Sequence, residues 1–365
     1  MSPPEPDTAP DQIAGAPHPR EAQTLFGQAE AEAGFLDAWN AGRLHHGWLL
    51  AGPRGIGKAT LAWRMARFLL AADAPGAGEQ ASLDVAPDHP VARRILARSE
   101  PGLAHVTRSL NDKGALRSAI VVDDIRALHR FFGLSAADGG RRVVIVDAAD
   151  EMNTAAANAL LKMLEEPPAR TTILLVAHQP SALLPTIRSR CRMLRLAPLA
   201  PADLEAALQQ AGAELPDQPE RLSALAAGSA GAALRLVNLG GLGLYGDLVA
   251  ILDSLPRLDR PRLIALAESM ARRGQEERLD LLLDLIDTLL ARLARHGATG
   301  RPGPEGAPGE AVMLARLAPD PASARRWAAL AATITERSRH GRAVNLDPAA
   351  LVLDTVLRIE KTARR

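Results

Sequence analysis

The stretch LLAGPRGIGKATL, residues 49–61, decides the fold, because it sets a glycine-rich loop between an apolar run and a helical one. It nearly matches G-x-x-x-x-G-K-[ST], a loop whose backbone N–H groups cradle phosphates and whose hydroxyl holds Mg²⁺. Gly52, Gly57 and Lys58 are in register, but Ala59 stands at the hydroxyl position. Thr60 comes one residue later, which on a helix turns its side chain by about 100°. The stretch therefore predicts a phosphate-binding fold that lacks the usual magnesium ligand.

The elements around this loop predict a parallel sheet covered by helices. Short apolar runs, rich in β-branched residues, alternate with segments that carry apolar residues at helical spacing. The predicted strands are 47–52, 141–150 and 171–178, and the predicted helices are 58–72 and 154–166. Such alternation is typical of an α/β domain.

The rest of the chain predicts further domains. Residues 1–20 are proline-rich and acidic, which indicates a disordered leader, and the α/β domain follows over 21–197. Alanine- and leucine-rich helices then predict a small helical lid domain over 198–240 and an all-helical domain over 241–365. The glycine- and proline-rich segment 296–310 indicates a flexible insertion. The segment GLGLYG, 241–246, matches G-x-G-x-x-G only formally, since no strand precedes it, and we interpret it as a linker.

Composition excludes several classes of protein. The 365 residues carry a formal net charge of +1, so no global charge favours nucleic acid or a membrane surface. Cys191 is the only cysteine, which excludes disulfides and thiolate zinc sites within the chain; no zinc is expected. The N-terminus lacks the features of a signal peptide, and no apolar run approaches the length of a membrane span. A cytoplasmic protein is the expectation.

A second strand supplies the other acid that a nucleotide site needs. Asp147 ends the run RRVVIVD, where an acid normally helps to hold magnesium. Ala148 follows it, at the position where many such ATPases carry a water-activating Glu. Asp150 and Glu151 are close in sequence, and an active site shifted to Thr60 and Glu151 is the alternative. The predicted degenerate site for ATP or ADP, weakly bound or vestigial, comprises Gly52, Gly55, Gly57, Lys58, Thr60 and Asp147.

Four motifs carry a family resemblance. With the loop, the segments VVIVDAADEMNTAAANALLKMLEEPP (143–168), TIRSRCRMLRL (186–196) and GSAGAALRL (228–236) resemble the delta prime subunits of bacterial DNA polymerase III. Those proteins form part of the clamp-loader branch of the AAA+ ATPases. The resemblance implies an AAA+ domain, a lid domain and a C-terminal collar that mediates oligomerisation.

The resemblance also implies a role. A delta prime subunit sits in a five-subunit ring with gamma/tau motor subunits and a delta subunit, as part of the polymerase holoenzyme. The ring loads the sliding clamp onto primed DNA, away from any membrane. Arg190, in the triplet SRC (189–191), would be the arginine finger that serves a neighbour's ATP site; a surface ion pair is the alternative.

Other positions depart from the motor pattern. Gly231 stands where motor subunits carry a sensing arginine, and His178, near the sensor position, is expected to be structural or solvent-facing. Cys191 is expected to be a small buried residue rather than a reactive thiol. Two further hypotheses stay open besides the non-hydrolysing subunit: an active motor-type ATPase, and a standalone ATP-binding switch.

Overall fold

The computed structural model describes residues 11–13, 16–72, 76, 78–134 and 140–364, and its contacts divide the chain into two compact units. The first unit takes residues up to 212 together with 228–231, and the second takes 213–227 and 232–365. The sequence predicted three domains. The separate lid over 198–240 and collar over 241–365 stay predictions.

The first unit is built on a parallel sheet. Its strands are β1 (Gly47–Ala51), β2 (Leu103–Val106), β3 (Arg142–Asp147), β4 (Thr171–Ala177) and β5 (Arg192–Arg195). Within the described residues the strand order is β2-β3-β4-β1-β5, and each neighbouring pair is parallel. The predicted α/β parallel-sheet architecture is confirmed.

Helices cover both faces of this sheet. They are α1 (Ala29–Asn40), α2 (Lys58–Ala71), α3 (Pro90–Leu96), α4 (Val122–Leu134), α5 (Thr154–Glu165), α6 (Pro185–Ser189) and α7 (Pro201–Gln210). Alternate strand residues point to opposite faces. Leu50 and Ile145 therefore pack with α1 and α2, while Leu49 and Val144 pack with α4 and α5. Every residue of β4, at the centre, is buried.

The second unit is helical. It contains α8 (Pro219–Ala226), most of α9 (Ala230–Asn238), α10 (Gly241–Asp253), α11 (Arg260–Met270), α12 (Glu276–Thr299), α13 (Glu310–Leu317), α14 (Pro321–Ala343) and α15 (Pro348–Ala363). The long helices α12 and α14 pack along each other. Among the described residues, no single helix is long and apolar enough to cross a membrane; α9 and α10, bent by 82°, pass such a test only when taken together.

One prediction for the second unit was wrong. The predicted linker 241–246 is the start of α10, because Leu244 and Tyr245 are buried there. The flexibility of the segment 296–310 stays a prediction; the segment is helix up to Thr299, and its far end is held by Glu310, whose side chain is fully buried. Glu310 accepts hydrogen bonds from Tyr245 Oη (2.6 Å) and the backbone N–H of Gly306 (2.6 Å), and pairs with Arg292.

The disordered leader stays a prediction for residues 1–10, 14 and 15, which lie outside the described residues, whereas the described part makes tertiary contacts. Pro19–Glu21 forms a 3₁₀ turn, and Ala16 and His18 are buried. The His18 ring lies edge-on to Trp63 of α2, with centroids 5.6 Å apart. The local composition indicates disorder, but contacts with distant residues supply the order.

Candidate functional site

The predicted phosphate loop joins β1 to α2. The chain turns at Gly52 (φ +154°) and Gly57 (φ +99°), conformations that glycine adopts without the steric cost of a side chain. A Cβ on Gly52 would lie 2.6 Å from the carbonyl oxygen of Leu196. The loop therefore passes directly against the chain that leaves β5, and glycine is needed for that approach.

Lys58 is turned back onto its own loop. Its Nζ donates to the carbonyl oxygens of Gly52 (2.8 Å) and Pro53, and the residue is only 3% exposed. Burial lowers the pKa of this ammonium to about 8, although the charges of Asp147 and Asp150 act to raise it. The lysine that the motif supplies for phosphate is thus already bonded within the chain.

Asp147 lies at the end of β3, as the motif predicts. Burial raises the pKa of its carboxyl group to about 7, and the charge of Asp11 adds to the rise against the opposing charge of Lys58. The Asp147 carboxyl group is therefore partly protonated at pH 7. Of the other predicted nucleotide-site residues, Thr60 is half-buried on α2, one residue past Ala59.

The two acids of the alternative, shifted site are both engaged. Asp150 accepts hydrogen bonds from the backbone N–H groups of His178 (3.0 Å) and Gln179 (2.8 Å). Glu151 pairs with Arg54 of the loop (2.8 Å) and with Arg108 (2.9 Å). Glu151 is thus engaged by two guanidinium groups within the chain.

His178 and Cys191 are both half-buried, and burial shifts the pKa of each. Burial lowers the pKa of the His178 imidazole to about 4, and the charges of Lys58 and Arg54 add to the effect, so the ring is neutral at pH 7. Burial raises the pKa of the Cys191 thiol to about 12, so it carries no reactive thiolate at neutral pH.

The segment 228–231 packs on the loop from outside. Ser229 Oγ donates to the carbonyl oxygen of Arg54 (2.8 Å). The backbone N–H of Gly231 donates to the carbonyl oxygen of Gly55 (2.9 Å). Gly55 has φ +75°, and a Cβ there would lie 2.5 Å from Ser229 Oγ. A Cβ on Gly231 would lie 2.8 Å from both the Cα of Gly55 and the Cδ1 of Ile13. The position at which motor subunits carry an arginine therefore has no room for a side chain here.

Arg190 lies at the opposite edge of the sheet from the loop. Trp48 of β1 pairs with Arg192 of β5 in parallel register, so Arg190, which precedes β5, lies at the amino-terminal edge. The loop follows β1 at the carboxyl edge. The five residues of β1 put about 16 Å between these edges. Arg190 is therefore out of reach of this chain's own loop.

The Arg190 side chain is 38% exposed and held by two neighbours. Its Nη2 lies 3.0 Å from Glu165 Oε1, and its Nη1 donates to the carbonyl oxygen of Thr186 (3.2 Å). The guanidinium has five N–H donors. The ion pair that the sequence offered as an alternative to a finger is present, and the exposed side chain still has donors to offer.

Sequence reasoning missed several residues that shape the site. Gln28 bonds the loop carbonyl of Ile56 (3.1 Å) and both the N–H and the carbonyl of Ala197, which ties the loop to the chain beyond β5. Asp11, Ile13 and His18, in the segment interpreted as disordered, also contact this region. No motif marks them, because their partners are distant in sequence.

Comparisons with known proteins agree with these motifs. The family model described as "DNA polymerase III, delta subunit" matches residues 27–200. A DNA polymerase III subunit delta' from Pseudomonas aeruginosa is 39% identical over 227 residues, 61% of this chain and 65% of that protein. The subunit delta' from Escherichia coli K12 is 30% identical over 332 residues, 89% of this chain and 92% of that protein.

More distant similarities extend to another subunit type. A DNA polymerase III subunit gamma/tau from Mycobacterium tuberculosis H37Rv is 29% identical over 314 residues, 77% of this chain and 51% of that protein. The alignments thus span about half of the mycobacterial protein and just under two thirds of the Pseudomonas one. A solved gamma subunit-related protein from Thermotoga maritima aligns over 91% of this chain and all of its own, with 17% identity and a TM-score of 0.43, too weak to add to the sequence comparisons.

Proposed function

This chain belongs to the DNA polymerase III delta prime family, and from that membership we propose that it is a clamp-loader subunit that does not itself hydrolyse ATP. It works in the cytoplasm with gamma/tau motor subunits and a delta subunit in a five-subunit ring. The ring loads the sliding clamp onto primed DNA. In it, this chain supplies Arg190 to the ATP site of a neighbouring motor subunit.

The observation that carries this proposal is the placement of Arg190. The side chain is exposed at the edge of the sheet opposite to the chain's own loop, about 16 Å away by the length of β1. A guanidinium in that position cannot reach a phosphate on this chain's own loop. Any phosphate that it contacts is therefore bound by another molecule. A planar cation supplied in this way stabilises the charge that spreads over the oxygens of the transferred phosphoryl group.

The residues at the chain's own phosphate loop support the proposal that this chain does not hydrolyse ATP. Ala59 and Ala148 offer no magnesium ligand and no base, and Lys58 donates to its own loop. This chain on its own is expected to bind ATP or ADP weakly or not at all. The active-motor alternative needs Glu151 as a free base, whereas Arg54 and Arg108 both hold it. The standalone-switch alternative leaves the exposed Arg190 without a use.

Reconstitution with gamma/tau and delta subunits tests the proposal. Arg190→Ala is expected to leave assembly intact and to cost on the order of a thousandfold at the one ATP site that it serves, so that total ATP turnover falls by that site's share. Arg190→Lys keeps the charge but not the planar fork, and is expected to restore only part of the rate.

Arg195→Ala is the matched control, because Arg195 is also an exposed arginine but lies at the end of β5, on the carboxyl edge. It should leave turnover unchanged. Equal ATP turnover with the parent chain and with Arg190→Ala would show that Arg190 is not a finger. Failure of the chain to join the assembly at all would overturn the clamp-loader role.

A further inference from the structure

The described N-terminal residues form a strap, residues 11–13 and 16–25, that lies along α2. Two arginines of α2 hold it: Arg67 donates to the carbonyl oxygen of Arg20 (2.8 Å), and Arg64 donates to that of Gln23. Both arginine side chains are buried. Since a buried guanidinium is costly unless its donors are bonded, these contacts fix the strap firmly to α2.

A buried cluster pins the start of the strap. The Asp11 carboxylate lies 3.1 Å from His18 Nε2 and 3.4 Å from His105 Nε2 of β2. The side chains of Asp11 and His18 are almost fully buried, and the rings of His18 and His105 both lie edge-on to Trp63. The strap therefore packs against the sheet as well as α2, with its Asp11 carboxylate close to two imidazole rings.

The strap meets the phosphate loop at two apolar side chains. Ile13 Cδ1 would lie 2.8 Å from a Cβ on Gly231, and Leu25 Cδ1 would lie 2.6 Å from a Cβ on Gly57. Gly57 is the last residue of the loop, and Gly231 is bonded to Gly55. Apolar groups thus contact the loop and its cover, where a phosphate would need converging N–H donors.

The strap also carries a charge of the wrong sign for a phosphate site. Asp11 lies close enough to Asp147 for its charge to act on the Asp147 carboxyl group. A carboxylate near Asp147 opposes a phosphate electrostatically, and the screening that weakens such repulsion in water is reduced in a buried site.

We propose that the strap is an autoinhibitory closure of the phosphate loop, so that nucleotide reaches Lys58 only when the strap is displaced. The loop is then a covered site rather than an open one with weak affinity. The closure rests on the proposed function and deepens it, because it keeps nucleotide away from the loop of a chain that does not itself hydrolyse ATP. It makes no use of Arg190 and is tested on this chain alone.

The test measures binding of a fluorescent ADP, mant-ADP with Mg²⁺, to the full chain and to two point variants. Ile13→Ala removes the apolar contact on Gly231, and Asp11→Asn keeps the shape of the side chain while removing the charge that lies close to the two histidines. Both are expected to lower the Kd for mant-ADP by about tenfold or more, which corresponds to about 1.4 kcal/mol. Adding Lys58→Ala to either variant should abolish the gain.

Ile125→Ala is the matched control, since Ile125 is a buried residue of α4 in the core on the other face of the sheet. It should destabilise the fold without improving nucleotide binding. An unchanged Kd in both strap variants would overturn the proposal, as would micromolar binding by the parent chain. A gain that survives Lys58→Ala, or an equal gain in Ile125→Ala, would overturn it as well. ATP turnover of the assembly with Arg190→Ala is a separate measurement, so either proposal can fail alone.

Discussion

The backbone N–H of Gly231 donates to the carbonyl oxygen of Gly55 at 2.9 Å, with no side chain between the two segments. This contact joins the segment 228–231 to the phosphate loop at the distance of closest backbone approach. Because the two backbones lie this close, packing requires a glycine at residue 231 and excludes an arginine there.

The first prediction concerns that contact. Gly231→Arg forces a side chain into a space where a Cβ alone would lie 2.8 Å from the Cα of Gly55. Overpacking of this kind costs about 1–3 kcal/mol, so the free energy of unfolding in urea should fall by at least that much. Gly243→Arg is the control, because a Cβ on Gly243, in α10, has no neighbour within 4 Å. Equal stability of the two variants would contradict the close contact.

The second prediction concerns hydrolysis. Ala59→Thr restores the motif at its missing position, but Lys58 remains bonded to the loop carbonyls and Glu151 remains paired with two arginines. Phosphate release by the purified chain is therefore expected to stay at background both before and after the substitution. A turnover of about 1 s⁻¹ after the substitution, low for an enzyme, would show that the hydroxyl was the only missing part.

The third prediction concerns pH. Burial raises the pKa of Asp147 from 3.8 to about 7 in the folded chain, so the folded state binds more protons than the unfolded state between these values. The stability from this group is full below about pH 4 and is lost as the pH rises through about 7. Asp147→Asn removes the titration. The free energy of unfolding of this variant, relative to the parent, should therefore increase between about pH 5 and about pH 7.5.

Urea denaturation at both pH values measures that change. Asp123→Asn serves as the control, because the Asp123 side chain is exposed on α4 and its pairing with Arg126 is a surface contact. A difference between Asp147→Asn and the parent that is the same at both pH values would mean that Asp147 is ionised throughout the range.

The fourth prediction concerns the second unit. Glu310→Ala removes a fully buried carboxylate and leaves Arg292 and Tyr245 Oη without their shared partner. Breaking a buried ion pair from one side costs about 3–5 kcal/mol, so we expect a loss of that size in thermal or urea unfolding. Glu305→Ala, an exposed glutamate in the same connection, should change stability by less than about 1 kcal/mol. Comparable losses in the two variants would show that Glu310 is not the anchor.

The sheet and the loop could be predicted because their signals are local. The run VVIVD is too β-branched and too short for a helix, and Lys58 follows a glycine loop directly after a strand. Strand β2, Leu103–Val106, was missed because four residues without clear alternation give no period to detect. Its place in the sheet comes from pairing with β3, which is a non-local contact.

The absence of the usual ATPase residues from the candidate site could be predicted from the sequence. The contacts that the N-terminal strap makes with the site could not. Ala59, Ala148 and Gly231 can be read directly from the sequence. The contacts of Asp11 and Ile13 cannot, because proline-rich, acidic composition around them indicates disorder. The buried arginines of α2 outweigh that local tendency, and an arginine at helical spacing does not reveal whether it faces solvent or another segment of the chain.

Because Arg190 and the phosphate loop lie at opposite edges of the sheet, the two edges of this molecule differ. Contacts made through the two opposite edges of the sheet are head-to-tail, and an open head-to-tail array has two unlike ends. Under the proposed function, a chain that offers an arginine at one edge and closes its loop at the other donates to one neighbour and is not activated by the next. In that assembly it would mark the terminus of a series of active sites, and losing its arginine would affect a single adjacent subunit.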